Sequence, residues 1–215
     1  MKVKGIKIKN VEITWLGHSS FKFNNSKVVY IDPFVLPEKA EKADIIIMTH
    51  EHFDHCAVKN AEKIIKDSTV VFTTKGCADK CGFDTEVIRA GKSREAYNVK
   101  IEAVEAYNID KPFHPRGLGF GVIVEMDGVR IYHAGDSDFI PEMGNLRPDV
   151  ALLPIGGKYT MDIREAVEAA VKIRPKMTIP MHYNYIDNTQ ADPEKFGELL
   201  SEKAPDIQVI ILSPL

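Results

Sequence analysis

The stretch that most limits what this chain can become is Ala43 to Met48 (ADIIIM), running straight into Thr49-His50-Glu51-His52-Phe53-Asp54-His55. A continuous apolar run of that length reads as a strand buried on both faces, the kind found inside a layered α/β fold. Its exit is crowded with imidazoles and carboxylates, a crowding that a divalent cation turns into coordination bonds. Alternate side chains of an extended segment project to one side, so His50 and His52 can reach one ion together, leaving Asp54 and His55 for another. Beyond the cluster, Ala57, Ala61, Ile64 and Ile65 recur at helical spacing, so the histidines occupy a strand-to-helix loop held by a rigid scaffold. The alternative is a polar surface turn in which the histidines are incidental.

The remainder alternates in the same manner. Short β-type runs fall at Val11 to Trp15, Phe21 to Phe23, Lys27 to Ile31, Thr69 to Thr73 and Glu86 to Ile88, and the alternating Met1 to Lys9 also reads as a strand rather than a secretory signal. A second β-rich passage follows: Val99 to Tyr107, then Val122 to Glu125 joined to Arg130 to His133 through the hairpin signal Asp127-Gly128, then Asp149 to Ile155, Lys176 to Met181 and Ile207 to Leu212. Helices are expected at Ala57 to Lys66, Lys75 to Cys81, Asp162 to Ile173 with Asp162 and Glu165 as a capping box, and Asp192 to Lys203. Two passes through strands and then helices suit two sheets packed face to face with helices outside, in one domain spanning residues 1–215.

Composition narrows the function. With 215 residues, 44% hydrophobic and 27% charged, the chain matches an ordinary globular protein, and no apolar run approaches the roughly eighteen residues of a membrane helix. A net charge of −3 gives no footprint for nucleic acid, and a cytoplasmic location is expected. Cys56, Cys77 and Cys81 read as reduced, partly buried thiols, with Cys77/Cys81 as the one close pair.

Three apolar strands end in a potential ligand: the first at His50 to His55, another at Asp136 and another at His182. On Thr14-Trp-Leu-Gly-His18, Ile31-Asp32-Pro33, Thr49 to His55, Tyr132-His-Ala-Gly-Asp136, Leu153-Pro-Ile-Gly-Gly157 and Ile179-Pro-Met-His182, the sequence resembles the metallo-β-lactamase-fold hydrolases over nearly its whole length. Within them it is most similar to the group of the ascorbate-phosphate lactonase and, more distantly, the N-acylphosphatidylethanolamine phospholipase D. The resemblance implies a four-layer αββα sandwich and two divalent ions. His50 and His52 would bind one; Asp54, His55 and His182 would bind the other; Asp136 would bridge them. Asp32 would lie behind the ligands, orienting a histidine through its other ring nitrogen.

One position departs from the pattern. The third histidine of the first ion normally ends the strand that here runs to Tyr107, where the chain has Asn108. His114, in Lys111-Pro-Phe-His-Pro115, can fold back into that place or stay on the surface.

The implied reaction is metal-assisted hydrolysis, with Asp54 or Asp136 helping to take a proton from water. Nitrogen and oxygen ligands suit zinc, manganese or ferrous iron, and His52, where flavodiiron relatives tend to carry Glu, favours zinc or manganese. For substrate, Lys158 and Tyr159 ahead of a helix N-terminus either hold an anionic group or belong to a Gly-rich turn with a solvated lysine; the resemblance implies that His18, with His133, Arg116 and Tyr183, lines the pocket, and each can equally be a packed or surface residue. A small anionic ester, either lactone or phosphodiester, is thus expected. The rivals are a nuclease and a non-catalytic metal-binding or regulatory module.

Overall fold

Alternation along the apolar strands decides the layers. In β4 (Val28–Ile31) and β5 (Ile45–Met48), both buried throughout, Val29, Ile31, Ile45 and Ile47 turn one way and Val28, Tyr30, Ile46 and Met48 the other. The first set enters a large core shared with the second half of the chain. The second set is covered by α1 (Val58–Ile64) and α2 (Lys75–Ala78), which bring Ala61, Ile64 and Cys77. A strand apolar on both faces therefore lies between a helix layer and another sheet.

The computed structural model describes residues 3–215; Met1 and Lys2 of the expected first strand lie outside the described residues. One seven-stranded sheet runs in spatial order β1 (Gly5–Ile8), β2 (Val11–Gly17), β3 (Ser20–Asn24), β4, β5, β6 (Val70–Thr73) and β7 (Glu86–Val87). Neighbours are antiparallel from β1 to β4 and parallel from β4 to β7. The second sheet repeats the plan: β8 (Ser93–Ala96), β9 (Val99–Val104), β10 (Gly121–Met126) and β11 (Val129–His133) are antiparallel, then β11, β12 (Val150–Pro154), β13 (Met177–Met181) and β14 (Gln208–Val209) are parallel. Outside it lie α3 (Ile163–Ile173), burying Ala166, Ala169, Ala170 and Ile173, and α4 (Pro193–Lys203), burying Phe196 and Leu200. This is the expected αββα sandwich. Because parallel strands share a direction, the C-terminal ends of β4, β5, β11 and β13 can gather at one rim.

The hairpin and the helix cap follow their local signals. Asp127 and Gly128 both have positive φ, 49° and 65°, the pair that a tight two-residue turn between twisted strands needs. Asp162 accepts from the Glu165 amide while the Glu165 carboxylate accepts from the Asp162 amide. Elsewhere the expectations need correction. β9 stops at Val104 rather than Tyr107, because the chain leaves the sheet there for the loop that carries His114. The exposed β8 lacked an apolar alternation to announce it, and of Ile207 to Leu212 only Gln208–Val209 is a strand.

The cysteine expectation is also corrected. Cys56 and Cys77, with Cα atoms 5.9 Å apart, form a disulfide, and Cys81 is the free thiol. α2 packs against the segment that follows His55, which brings together two cysteines distant in sequence, while Cys81 directs its sulfur at the Cys77 carbonyl. Among the described residues no helix is long and apolar enough to cross a membrane.

Candidate metal centre

Most candidate side chains sit just beyond a strand end, several through a conformationally demanding turn, while His114 comes from the loop between β9 and β10. The residues just after β2, β4 and β13, His18, Asp32 and His182, all have left-handed backbone though none is glycine, with φ of 52°, 45° and 53°. The His182 amide donates to the His18 carbonyl at 3.0 Å, tying the two sheets together at the rim. β5 exits through Thr49 to His50, and β11 through Gly135 to Asp136. At Gly135, φ is 61° and a Cβ would stand 2.9 Å from the Phe120 carbonyl oxygen, so the chain can pass only without a side chain. Gly119 is as constrained: a Cβ there would lie 2.7 Å from that of His50.

His50, His52 and His114 turn three ring nitrogens toward one point. His52 Nδ1 lies 3.1 Å from His50 Nε2 and 3.1 Å from His114 Nε2. Hydrogen bonding does not account for this convergence. Thr49 Oγ1 gives its hydrogen to Asp32 Oδ2 at 2.8 Å, which leaves it to accept from His50 Nδ1 at 3.1 Å. His114 Nδ1 donates toward Asn108 Oδ1 at 3.0 Å. The Nε2 atoms of both rings are then bare, and one His52 nitrogen cannot donate to both. Three imidazole nitrogens around one ion at bond lengths of about 2.0–2.1 Å would stand roughly 3.4 Å apart, close to what is seen.

The second group is Asp54, His55 and His182, with Asp136 between the two. His55 Nε2 lies 3.1 Å from Asp136 Oδ1 and 3.4 Å from Asp54 Oδ2; His182 Nε2 lies 3.1 Å from Asp136 Oδ2 and 3.8 Å from Asp54 Oδ2. Asp136 Oδ2 is also 3.2 Å from His114 Nε2 and 4.0 Å from His50 Nε2, so one carboxylate touches both groups. Despite these distances, His55 Nε2, His182 Nε2 and Asp136 Oδ1 are buried without a properly directed hydrogen bond. They aim past one another at shared points. These orphaned atoms fit cations: His50, His52 and His114 can hold one, Asp54, His55 and His182 another, and Asp136 can reach both.

The electrostatics agree. Burial, then the neighbouring His55, His114 and His52, pushes His50 well below its ordinary value, with Asp136 opposing, and burial with His114 lowers His52. Burial would raise Asp136, but His182 and His55 outweigh it and hold the carboxyl well below the usual carboxylate range. Asp54 is held down likewise, burial being outweighed by His55 and by the hydrogen bond from His18. Neutral imidazoles beside ionised carboxylates are the forms that bind metal. His55 goes the other way: against burial, Asp136, Asp54 and Asp32 draw it toward the cationic form, marking where positive charge is wanted.

Behind the candidate ligands lie supports from both halves. Asp32 Oδ2 accepts from His55 Nδ1 at 2.7 Å, and Asp32 Oδ1 from the Thr49 amide at 2.7 Å, so the other His55 nitrogen faces inward. Asn108, where the sequence resemblance implied a histidine, grips His114. Its Oδ1 accepts from the His114 amide at 2.9 Å and from Nδ1, while its Nδ2 donates to Asp138 and to the Tyr159 carbonyl, each at 3.0 Å. Lys111 pins Asp138 in turn at 2.5 Å. Nothing in the sequence pattern marked Asn108, Thr49 or Asp138 for these tasks, beyond the closeness of Thr49 to the histidines.

Several expected substrate contacts move elsewhere. His18 is fully buried, with Nε2 2.9 Å from Asp54 Oδ2 and its ring against His182, because the left-handed turn tucks it beneath the ligands; burial lowers it to about 4 despite the Asp54 bond. The helix N-terminus beyond Lys158 is already closed by Asp162 and Glu165, whose carboxylates would repel an anion. Lys158 is exposed, whereas Tyr159 lines the cleft over the ligands. His133 is buried and bonds Ser19, Arg116 pairs with Glu105 and Glu142, and Tyr183 stacks on Trp15. The cleft itself, about 520 Å³, is floored by His52, Asp54, His114, Asp136 and His182 and walled by Phe53, Phe113, Tyr159, Ile186 and Asp187.

Comparison with known proteins points the same way. The model of the beta-lactamase superfamily domain matches residues 12–182. A UPF0173 metal-dependent hydrolase of Archaeoglobus fulgidus is 38% identical, over 95% of this chain and 96% of its own. Among solved structures, a putative metal-dependent hydrolase from Parabacteroides distasonis superposes with a TM-score of 0.85 at 32% identity, over 99% of this chain and 100% of its own. Igni18, a metallo hydrolase from Ignicoccus hospitalis, gives 0.79 at 29% identity, over 95% of each chain.

Proposed function

The chain belongs to the β-lactamase superfamily and to its UPF0173 metal-dependent hydrolases, and from that premise we propose that it cleaves a small anionic ester, a lactone or a phosphodiester, with water as nucleophile. The observation that carries this reading is the convergence of ring nitrogens, two of them without a hydrogen-bond partner, and of the orphaned Asp136 Oδ1 at the floor of an open cleft. Two divalent ions, zinc or manganese before iron, would supply acidified water and polarisation of the ester oxygen. Such ions, only partly offset by Asp54 and Asp136, would leave the floor cationic and favour an anionic reacting group.

The chain's own part is orientation and proton handling. Asp136 fixes the spacing of the two ligand groups because its oxygens reach both. Asp54 is aimed by His18 and opens on the cleft, so its carboxylate and that of Asp136 are the groups placed to take a proton from water. His50 and His55 hold fixed tautomers through Thr49 and Asp32.

The test is hydrolysis of bis(4-nitrophenyl) phosphate and of a γ-lactone before chelation, after it, and after zinc or manganese is restored, with metal content measured alongside. Activity that follows the metal supports the proposal; activity indifferent to chelation defeats it.

A further inference from the structure

The walls of the cleft differ in chemistry from its floor. Phe53 is 70% exposed although it stands between His52 and Asp54 in the chain, its ring meeting Phe34 edge-on at 5.9 Å. Phe113 directly precedes His114 and meets Tyr159 edge-on at 4.8 Å. Ile186 adds an aliphatic surface. Two loops thus each deliver a ligand and, one residue away, an aromatic wall, so apolar surface and reacting centre are held in register. Among the described residues lining the cleft none is Arg or Lys; the wall's one charge is Asp187, and Lys158 stands only at the rim, 5.9 Å from the Phe113 ring centre. An exposed aromatic beside a polar floor is surface awaiting an apolar partner.

We infer that the substrate is amphiphilic: a small anionic ester group at the floor with an alkyl or aromatic arm between Phe53, Phe113 and Ile186. A polyanionic or heavily hydroxylated substrate, such as a sugar phosphate or a nucleic acid, would meet apolar walls and Asp187, with no cation on those walls to receive the charge beyond the floor. This inference rests on the hydrolase reading for the ester but not for the arm, so binding and turnover are tested apart.

Binding to zinc-loaded protein is measured by calorimetry with methyl- to hexylphosphonate and with glucose 6-phosphate. Turnover is measured with methyl to hexyl 4-nitrophenyl phosphates and with γ-lactones bearing methyl to hexyl side chains. Affinity and kcat/KM should rise about fourfold per methylene over the first few carbons. That dependence should flatten in F53A and F113A and persist in F53L. Equal affinity along the phosphonate series, or tighter binding of glucose 6-phosphate, overturns the inference and leaves the hydrolase reading standing. A chain-length dependence that Phe53 and Phe113 govern, without turnover of any ester, upholds the apolar arm and defeats the hydrolase.

Discussion

The two halves of the molecule share one strand plan and use its corresponding ends differently. In each, an antiparallel run hands over to parallel strands, β4 to β7 in one sheet and β11 to β14 in the other. The first parallel strand ends near Asp32 in the first half and Asp136 in the second, yet one carboxylate is buried behind His55 while the other lies between both ligand groups. The next strand reverses the roles: β5 delivers the histidine cluster and β12 only apolar chain. β6 is followed by Thr74, which caps α2, where β13 is followed by His182. The same geometry thus offers several equivalent rim positions, and which become ligands depends on the turn that follows each strand.

Substitutions at matched positions can break this comparison. Asp136→Ala should have the largest effect, loss of both metals and a fall in hydrolysis of roughly 10²- to 10⁴-fold, read by metal analysis and initial rates; retention of either metal would remove its bridging role. His114→Ala should cost about one metal equivalent per chain, and unchanged stoichiometry would detach that ring from the centre. Asp32→Ala and Asn108→Ala sharpen the contrast, since each removes a support behind one ligand. Each should weaken one ion by about 10- to 100-fold, Asp32 at the Asp54/His55/His182 group and Asn108 at the His50/His52/His114 group, in competition titrations with a chelator. An Asn108→Ala protein with unaltered affinities would show that His114 needs no such grip. The smallest effect belongs to the brace found only in the first half. Reducing Cys56–Cys77, which spans 21 positions, should cost about 3 kcal/mol and lower the melting temperature by on the order of 10 °C. No shift on adding reductant would mean the bridge contributes nothing in solution.

Much of this was legible where local chemistry decides. The ADIIIM run, the Asp127-Gly128 turn and the Asp162/Glu165 box each carry their structural reason within a few residues, and together they led to the four-layer fold. The candidate ligand positions stood out because histidines and aspartates close apolar strands. What stayed hidden depends on contacts across the chain. Asn108 read as a gap because its partners, His114, Asp138 and Tyr159, lie up to 51 residues away. The cysteines read as reduced thiols, and the Cys56–Cys77 disulfide forms because α2 docks on the segment after His55. His18 read as a residue that can line the pocket, whereas its left-handed turn places it beneath Asp54. Phe53 and Phe113 read as ordinary apolar residues in loops, and only the shared cleft gives them a joint meaning.

The rim where the parallel strands meet has a consequence for assembly. His50, His52, Asp54 and His55 come from the first sheet's half, and His114, Asp136 and His182 from the second. Neither half alone holds a full set of candidate ligands, so ions held there would bind the docked pair far better than its separated parts. Metal is then a clasp, and loading should stabilise the folded chain in proportion to the logarithm of free metal over its dissociation constant. Heating the protein across a zinc series would read the strength of that clasp without any substrate.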